Sequence, residues 1–489
     1  MTRERHRPSL PVATGALILV CLCFFVLQWM LFPHDRPPAW DESVYLSQVT
    51  PGVEAAYFAA WRARGITLLV APAISAGASL AELRVFLIVL ATLGTGLALS
   101  VWKPLIGMAA PVAAFLFSFT WIALLNGSLV MPNFWTAVLG LIAAGFTVRW
   151  WESGHARHAV LAGAALAATA LVRPTEATVI FVVLGSFVLL SRKRSWAMVG
   201  ALLVGLAIGW VPWLIEMSVR FGGPLQALRM AAAGHIASAP ITQNLLRHLS
   251  YTDGELLETV APVRGVIWWA MLGILSVVGL LRAATHTERT GAVVASLVAL
   301  AVTIEYLVFV PALAPRFLLP AYAFAAIPAS IGVVSLFRGR GFLRVVGVGV
   351  VLFAVPWAIW QARVAQRVES ASSTVNGRFR EVGEQIMGLA AGHSCSVMSR
   401  SGLPQIQLAS GCVVRELPRA GGPTRQELEG LWNRGDSVFV IMTMPPSPGS
   451  PLEVVRPIRA RDPIGSLGPK RPWLIYELPA PTAEQDAAL

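Results

Sequence analysis

The chain has 489 residues, of which 56% are hydrophobic and only 13% charged, with a mean hydropathy of +0.65 and a net charge of +12. A charged fraction near half of the roughly 25% usual in soluble domains excludes an ordinary water-soluble globule, and the apolar excess excludes disorder. Long continuous apolar stretches exclude an outer-membrane barrel, whose strands alternate in segments of about ten residues, and leave a polytopic α-helical membrane protein.

The N-terminus carries Arg3, Arg5 and Arg7 ahead of an apolar run, Val12 to Phe32. No small-residue cleavage site closes that run, so it reads as a retained span with a cytoplasmic N-terminus. An outer loop, 33–82, follows and contains Trp40-Asp41-Glu42-Ser43-Val44-Tyr45. Within it, 66–80 is apolar but short and is interrupted by Pro72 and Gly77, which predicts a re-entrant or interfacial piece. Ser79 and Glu82 have capping-box spacing and predict a helix start beside them. Apolar windows then recur at 83–102, 105–125, 133–151, 158–173, 176–191, 196–215, 264–282, 291–312, 317–337 and 343–361, for about eleven transmembrane helices.

Charge supports that count. Basic residues crowd the inside segments, at Lys103, Arg149, Arg157, Arg192, Lys193, Arg194, Arg282, Arg289, Arg338, Arg340 and Arg344, whereas the short outer turns hold only Arg173 and Arg316. This is the positive-inside pattern. A second long outer loop, 216–263, contains His235, His248, Tyr251, Asp253 and Glu255 at spacings that fit no metal motif. Glu305 is the exception to span centres otherwise almost devoid of charge, which counts against an ion-coupled transporter.

The odd span count places the tail, 362–489, outside the cytoplasm. Phe379, Val382, Ile386 and Leu389 recur at helical spacing, and strand-like runs follow at Cys395–Ser399, Cys412–Leu417, Ser437–Met442 and Trp473–Leu478. Thr424 and Glu427 form a second capping box. The expected organisation is therefore a membrane module, 1–361, and a small α/β extracytoplasmic domain, 362–489. In an oxidising compartment Cys395 and Cys412 are candidates for a disulfide.

Three short segments carry candidate chemistry. Asp41 and Glu42 are adjacent carboxylates close to the membrane surface. Two readings fit them: a general base acting on a hydroxyl, or Asp41 as the N-cap of a surface helix with Glu42 in its first turn. Arg173, in Leu171-Val172-Arg173-Pro174-Thr175-Glu176, reads either as a clamp on a lipid phosphate or as a snorkelling anchor. Arg316, in Pro315-Arg316-Phe317-Leu318-Leu319-Pro320, breaks the charge trend on the same side. Tyr45, Arg84, His235 and His248 are further candidate substrate contacts. There is no Walker A motif, HExxH or paired CxxC, so no cofactor is expected and a divalent metal is not indicated. No nucleic-acid-binding pattern is present.

Taken in order, these features resemble the GT-C membrane glycosyltransferases, in particular the protein O-mannosyltransferases and the lipid A aminoarabinose transferases. The resemblance covers about residues 10–340. It rests on one span followed by an outer Asp-Glu with a Tyr three residues on, the stretch from Gly65 through Gly77 to Arg84, paired spans around Arg173-Pro174, and the late Arg316-Phe317-Leu318-Leu319-Pro320 element. Where the family often has an acidic residue near the start of the fourth span, this chain has Met131-Pro132-Asn133.

The resemblance implies an inverting glycosyltransferase in the inner or plasma membrane. Its donor would be a sugar on a polyprenyl phosphate. The acceptor would be a hydroxyl of a glycan, lipid or protein. Asp41, beside Glu42, would be the base, and Arg173 and Arg316 would hold the donor phosphate. Two other readings stand beside it: a lipid-linked-glycan flippase or transporter, and a membrane scaffold with an outer binding domain.

Overall fold

The computed structural model describes residues 10–478 other than 58, 61, 234–241, 243, 244, 246–261, 311–313, 418–421, 433–436, 443–445, 447–451, 453–457 and 461–472. Two compact units divide the chain. One comprises the residues up to His34, Ala59–Leu69 and Glu82–Glu369, and the other comprises Asp35–Phe58, Val70–Ala81 and everything from Ser370 onward.

In chain order the helices are α1 (Leu10–Leu31), α2 (Trp40–Ser47), α3 (Gly65–Ser75), α4 (Leu80–Ile106), α5 (Ala109–Ser118), α6 (Trp121–Asn126), α7 (Pro132–Ser153), α8 (Ala156–Val172), α9 (Pro174–Leu190), α10 (Trp196–Arg220), α11 (Pro224–Ala233), α12 (Pro262–Arg282), α13 (His286–Ile304), α14 (Leu319–Phe337) and α15 (Phe342–Ala390). A π-helical turn, Glu305–Phe309, extends α13, and a 3-10 turn, Pro315–Leu318, leads into α14.

Among the described residues, seven helical stretches are long and apolar enough to cross a membrane: those containing α1, α4, α7, α10, α13, α14 and α15. The chain is a multi-pass membrane protein. At 17 residues each, α8 and α9 stand at the short end of spanning length. Large apolar side chains such as Leu19, Met30, Val219, Leu300 and Leu352 are exposed along these helices, as a lipid-facing surface requires. α14 is the most completely buried of the seven and is apolar on all sides, the pattern of a central helix.

The expected single span at 105–125 is instead two short helices, α5 and α6, separated at Phe119 and Thr120. The backbone there is satisfied without a continuous helix. Thr120 Oγ1 accepts from Ala123 N at 3.2 Å, and Gln361 Oε1 accepts from Trp121 N at 2.7 Å. Non-helical backbone at membrane depth is tolerated where protein supplies the partners in this way.

Several helix crossings are too close for side chains. A Cβ added at Gly205 of α10 would run into the carbonyl of Gly163 in α8, and one at Gly279 of α12 would run into the carbonyl of Pro328 in α14. Small residues that let backbones touch are the usual device for packing helices in lipid.

The second unit contains a five-stranded sheet: β1 (Cys395–Ser399), β2 (Val413–Glu416), β3 (Ser437–Met442), β4 (Ile458–Ala460) and β5 (Trp473–Leu478), in the order β2-β1-β3-β5-β4. β1 runs parallel to β2 and β3, and β5 antiparallel to β3 and β4. Alternate residues point to opposite faces, and both faces are covered. Val397, Phe439, Ile441 and Ile475 join Phe379, Val382 and Ile386 of α15 in one core. Met398, Val438, Val440 and Tyr476 join Leu428 and Leu431 of α17 (Arg425–Trp432) in the other. The Thr424–Glu427 box opens α17, with Glu427 Oε2 accepting from Thr424 N at 2.6 Å. β4 and a helix, α16 (Leu403–Ser410), lie outside the runs expected from the sequence.

The boundary expected at 361/362 falls inside α15, which continues unbroken to Ala390. Part of the first outer loop also belongs to the unit that holds the tail. α2 packs on α16, and Gln407 Nε2 of α16 donates to Glu54 O at 2.5 Å.

Cys395 and Cys412 are disulfide-bonded, with their Cα atoms 4.9 Å apart. The bond closes a loop of 17 residues, worth about 3 kcal/mol. Thiol labelling of the unreduced chain should therefore find at most Cys21 and Cys23 reactive, with two further thiols after reduction. Four labelled thiols without reductant would contradict the cross-link.

Candidate functional site

The Asp41–Glu42 pair lies on α2, in the second unit. Ala39, in extended conformation, is the N-cap, so Trp40, Asp41 and Glu42 are the first three helical residues. The helix starts two residues earlier than the capping reading of Asp41 requires. Glu42, not Asp41, does the capping: it is 1% exposed, and its Oε2 accepts from Ala39 N at 3.1 Å. That is the reciprocal half of a capping box. Asp41, about 100° further round the helix, is only partly buried. Both carboxylates sit in the first turn, where the helix dipole favours negative charge.

Tyr45 is buried one turn on. The loop then folds back, with Ser47 Oγ accepting from Ala56 N at 2.9 Å and the Trp40 and Tyr57 rings 5.2 Å apart. Burial, and next the Glu416 carboxylate, pushes the Tyr57 phenol above its ordinary value.

Arg173 lies in the first unit, where Pro174 decides the local backbone. A residue before proline is driven out of the helical region, and Arg173 adopts φ −149°, ψ 92°, ending α8 and preceding α9 at once. Its Nε lies 2.5 Å from Glu176 Oε1, one turn into α9. Its Nη2 donates to the Tyr306 hydroxyl at 2.7 Å, and that hydroxyl donates in turn to Glu176 Oε1. Thr175 Oγ1 donates to Glu176 Oε2 at 2.6 Å. Glu176 is 1% exposed, while the Arg173 side chain keeps 20%.

Arg316 reaches the same cluster through an aromatic ring. The Arg173 and Arg316 guanidinium carbons each lie 5.4 Å from the centroid of Phe317, close enough for cation–π attraction. Tyr306 stacks on Phe317 at 5.2 Å with the rings 5° from parallel. Two arginines, Glu176, Tyr306 and Phe317 thus form one network. The π-helical turn that carries Tyr306 also brings Glu305, whose Oε2 is buried without a hydrogen-bond partner among the described residues.

Arg84 lies near the start of α4. It is 1% exposed, and its Nη1 donates to Ser128 O at 3.0 Å, tying α4 to the segment between α6 and α7. Asn133, at the position where the family often has an acid, is buried with neither side-chain amide atom hydrogen-bonded among the described residues. His235 and His248, with Tyr251, Asp253 and Glu255, lie outside the described residues. Among the described residues no group of three or more His, Cys, Asp or Glu side chains is arranged to hold a metal ion.

The sequence reading missed Glu176 and Tyr306 as partners of Arg173. Their signals were slight: an acid three residues after the Arg, and a Tyr beside the exceptional Glu305.

No protein-family model matches the chain, and no curated protein matches it in sequence. Solved structures do match. ArnT from Cupriavidus metallidurans, bound to undecaprenyl phosphate, superposes with a TM-score of 0.65 at 15% identity, over 94% of this chain and 98% of that one. The apo form of ArnT gives 0.63 at 14% identity, over 95% and 98%. The arabinofuranosyltransferase AftD from Mycobacteria gives 0.51 at 15% identity, over 95% of this chain but 40% of that one. These structures are GT-C glycosyltransferases. At such identities the likeness is one of fold, and the fold of this chain is the GT-C fold.

The cap geometry makes a prediction for Glu42. Glu42→Gln retains an acceptor oxygen for Ala39 N and should leave stability within a few tenths of a kcal/mol. Glu42→Ala should cost about 1 kcal/mol, the usual scale for a lost cap. Unfolding of the full chain in detergent separates the two, and equal losses would mean that the charge rather than the acceptor matters.

Proposed function

We propose that the chain is a membrane glycosyltransferase that moves a sugar from a polyprenyl-phosphate donor to an acceptor hydroxyl, with inversion, on the extracytoplasmic side. The observation that carries this reading is the fold shared with ArnT over nearly the full length of both chains, in a structure that holds undecaprenyl phosphate. Shared fold is an analogy, so the reading needs support from this chain's own residues. Positive-inside charge favours a cytoplasmic N-terminus, with α2 and the tail outside.

In this mechanism Asp41 takes the proton of the acceptor hydroxyl. The acceptor oxygen forms a bond to the anomeric carbon as the bond from that carbon to the phosphate oxygen breaks. The division of labour on α2 supports the choice of base: Glu42 is committed to the helix cap, whereas Asp41 keeps access to solvent. Arg173 and Arg316 contact the donor phosphate and stabilise the charge that develops on it as it leaves. A phosphate carried on a lipid needs no nucleotide site. No step calls for a cofactor.

The experiment is sugar transfer from a polyprenyl-phosphate donor by the full chain in liposomes. Asp41→Asn keeps the shape of the side chain but cannot take a proton, and turnover should fall about 10²–10⁴-fold with donor binding retained. Arg316→Ala should weaken donor use by about 1.5–3 kcal/mol, and Arg316→Lys should recover only part of it. A folded Asp41→Asn protein with near-parent turnover would overturn the base assignment. A parent chain that transfers no sugar from any polyprenyl-phosphate donor would overturn the reaction.

A further inference from the structure

The Arg173 cluster contains more than a phosphate ligand needs. A guanidinium waiting for a phosphate requires no carboxylate of its own, yet Glu176 sits against Nε of Arg173 and is itself almost wholly buried. Both oxygens of that carboxylate are held: Oε1 by Arg173 and the Tyr306 hydroxyl, and Oε2 by the Thr175 hydroxyl. Two of its three donors are therefore neutral hydroxyls, of which Thr175 makes no bond to Arg173 here and Tyr306 accepts one from it.

We infer that Glu176 is the resident anion of the Arg173 site: the donor phosphate displaces its carboxylate from Arg173, and the carboxylate returns when the product leaves. The inference rests on the reading of Arg173 as a phosphate ligand. Glu176 acts through Arg173 and is a positioning residue.

The chemistry of exchange follows from the bonds already present. A buried carboxylate stripped of its only cation would be strongly disfavoured. Here Tyr306 and Thr175 still donate to Glu176 after Arg173 turns to the phosphate, so the released carboxylate keeps hydrogen-bonded partners. With the site empty, Glu176 neutralises the partly buried guanidinium of Arg173.

Return of the carboxylate also bears on product release. The donor is a phosphodiester with one negative charge. Transfer leaves a phosphate monoester, whose second ionisation near pH 6 gives it a charge of about −1.5 to −2 at neutral pH. The product is thus the stronger anion and would hold the arginines more tightly than the donor does. A carboxylate anchored beside Arg173 competes with it and favours its departure.

The test measures binding of undecaprenyl phosphate to the full chain in detergent, together with multiple-turnover transfer. Affinity should rise from parent to Glu176→Asp to Glu176→Gln. Asp keeps the charge but retracts it, and should bind about threefold tighter than the parent. Gln removes the charge, and should bind tenfold tighter or more. Turnover should fall in the same order, and the first turnover should fall less than the steady state, because release becomes limiting. A purely structural role for Glu176 predicts the reverse order of affinity, with Gln weakest.

A flat or reversed series in folded variants overturns the inference, and the Asp variant alone decides the direction if the Gln variant does not fold. Arg316→Ala serves as the control on the underlying reading. If it binds undecaprenyl phosphate as the parent does, the phosphate assignment fails and the inference fails with it. If it binds more weakly while the Glu176 series stays flat, the inference alone fails.

Discussion

A charge held away from water must be neutralised or hydrogen-bonded, and in so apolar a chain that demand fixes where the polar residues can go. Arg173 meets it with Glu176 and Tyr306, drawn from the first turn of α9 and from the π-helical turn after α13. The turn exists because Pro174 denies Arg173 a helical backbone. A single proline thus sets the end of α8, the start of α9 and the direction in which the guanidinium emerges. The π-helical turn does the corresponding service for Tyr306, and Phe317 closes the group by stacking on it. Every member of the cluster stands at an interruption between helices rather than in the middle of one.

The second unit answers the same demand differently. Its sheet is covered on both faces, and the loop carrying Asp41 is gathered into it through α2 and α16. A carboxylate on a free loop would wander. On α2 it sits in the first turn of a short helix packed on another and capped by its neighbour. Glu42 thereby supplies rigidity at a position that could have been read as a second reactive acid.

Local pattern made much of this legible. Apolar windows marked most of the helices, strand-like runs marked β1, β2, β3 and β5, and the Arg-Pro dipeptide marked the break at Arg173. What pattern could not give was any pairing that depends on distant chain. The break between α5 and α6 is supported by Gln361, 240 residues away. Tyr306 finds Glu176 across 130 residues, and Gln407 reaches Glu54 across 353. The role of Glu42 was hidden for a smaller reason. Asp is the better N-cap residue by type, but the helix begins two positions too early for Asp41 to serve.

The glycine crossings carry a mechanical consequence. Where Gly205 meets Gly163 and Gly279 meets Pro328, backbone touches backbone with no side chain between them to change rotamer or repack. Such a seam has no soft degree of freedom, so α8 with α10, and α12 with α14, behave as stiff paired struts. Any rearrangement of the bundle would then have to part helices joined by ordinary side-chain packing before it parted either of these two pairs.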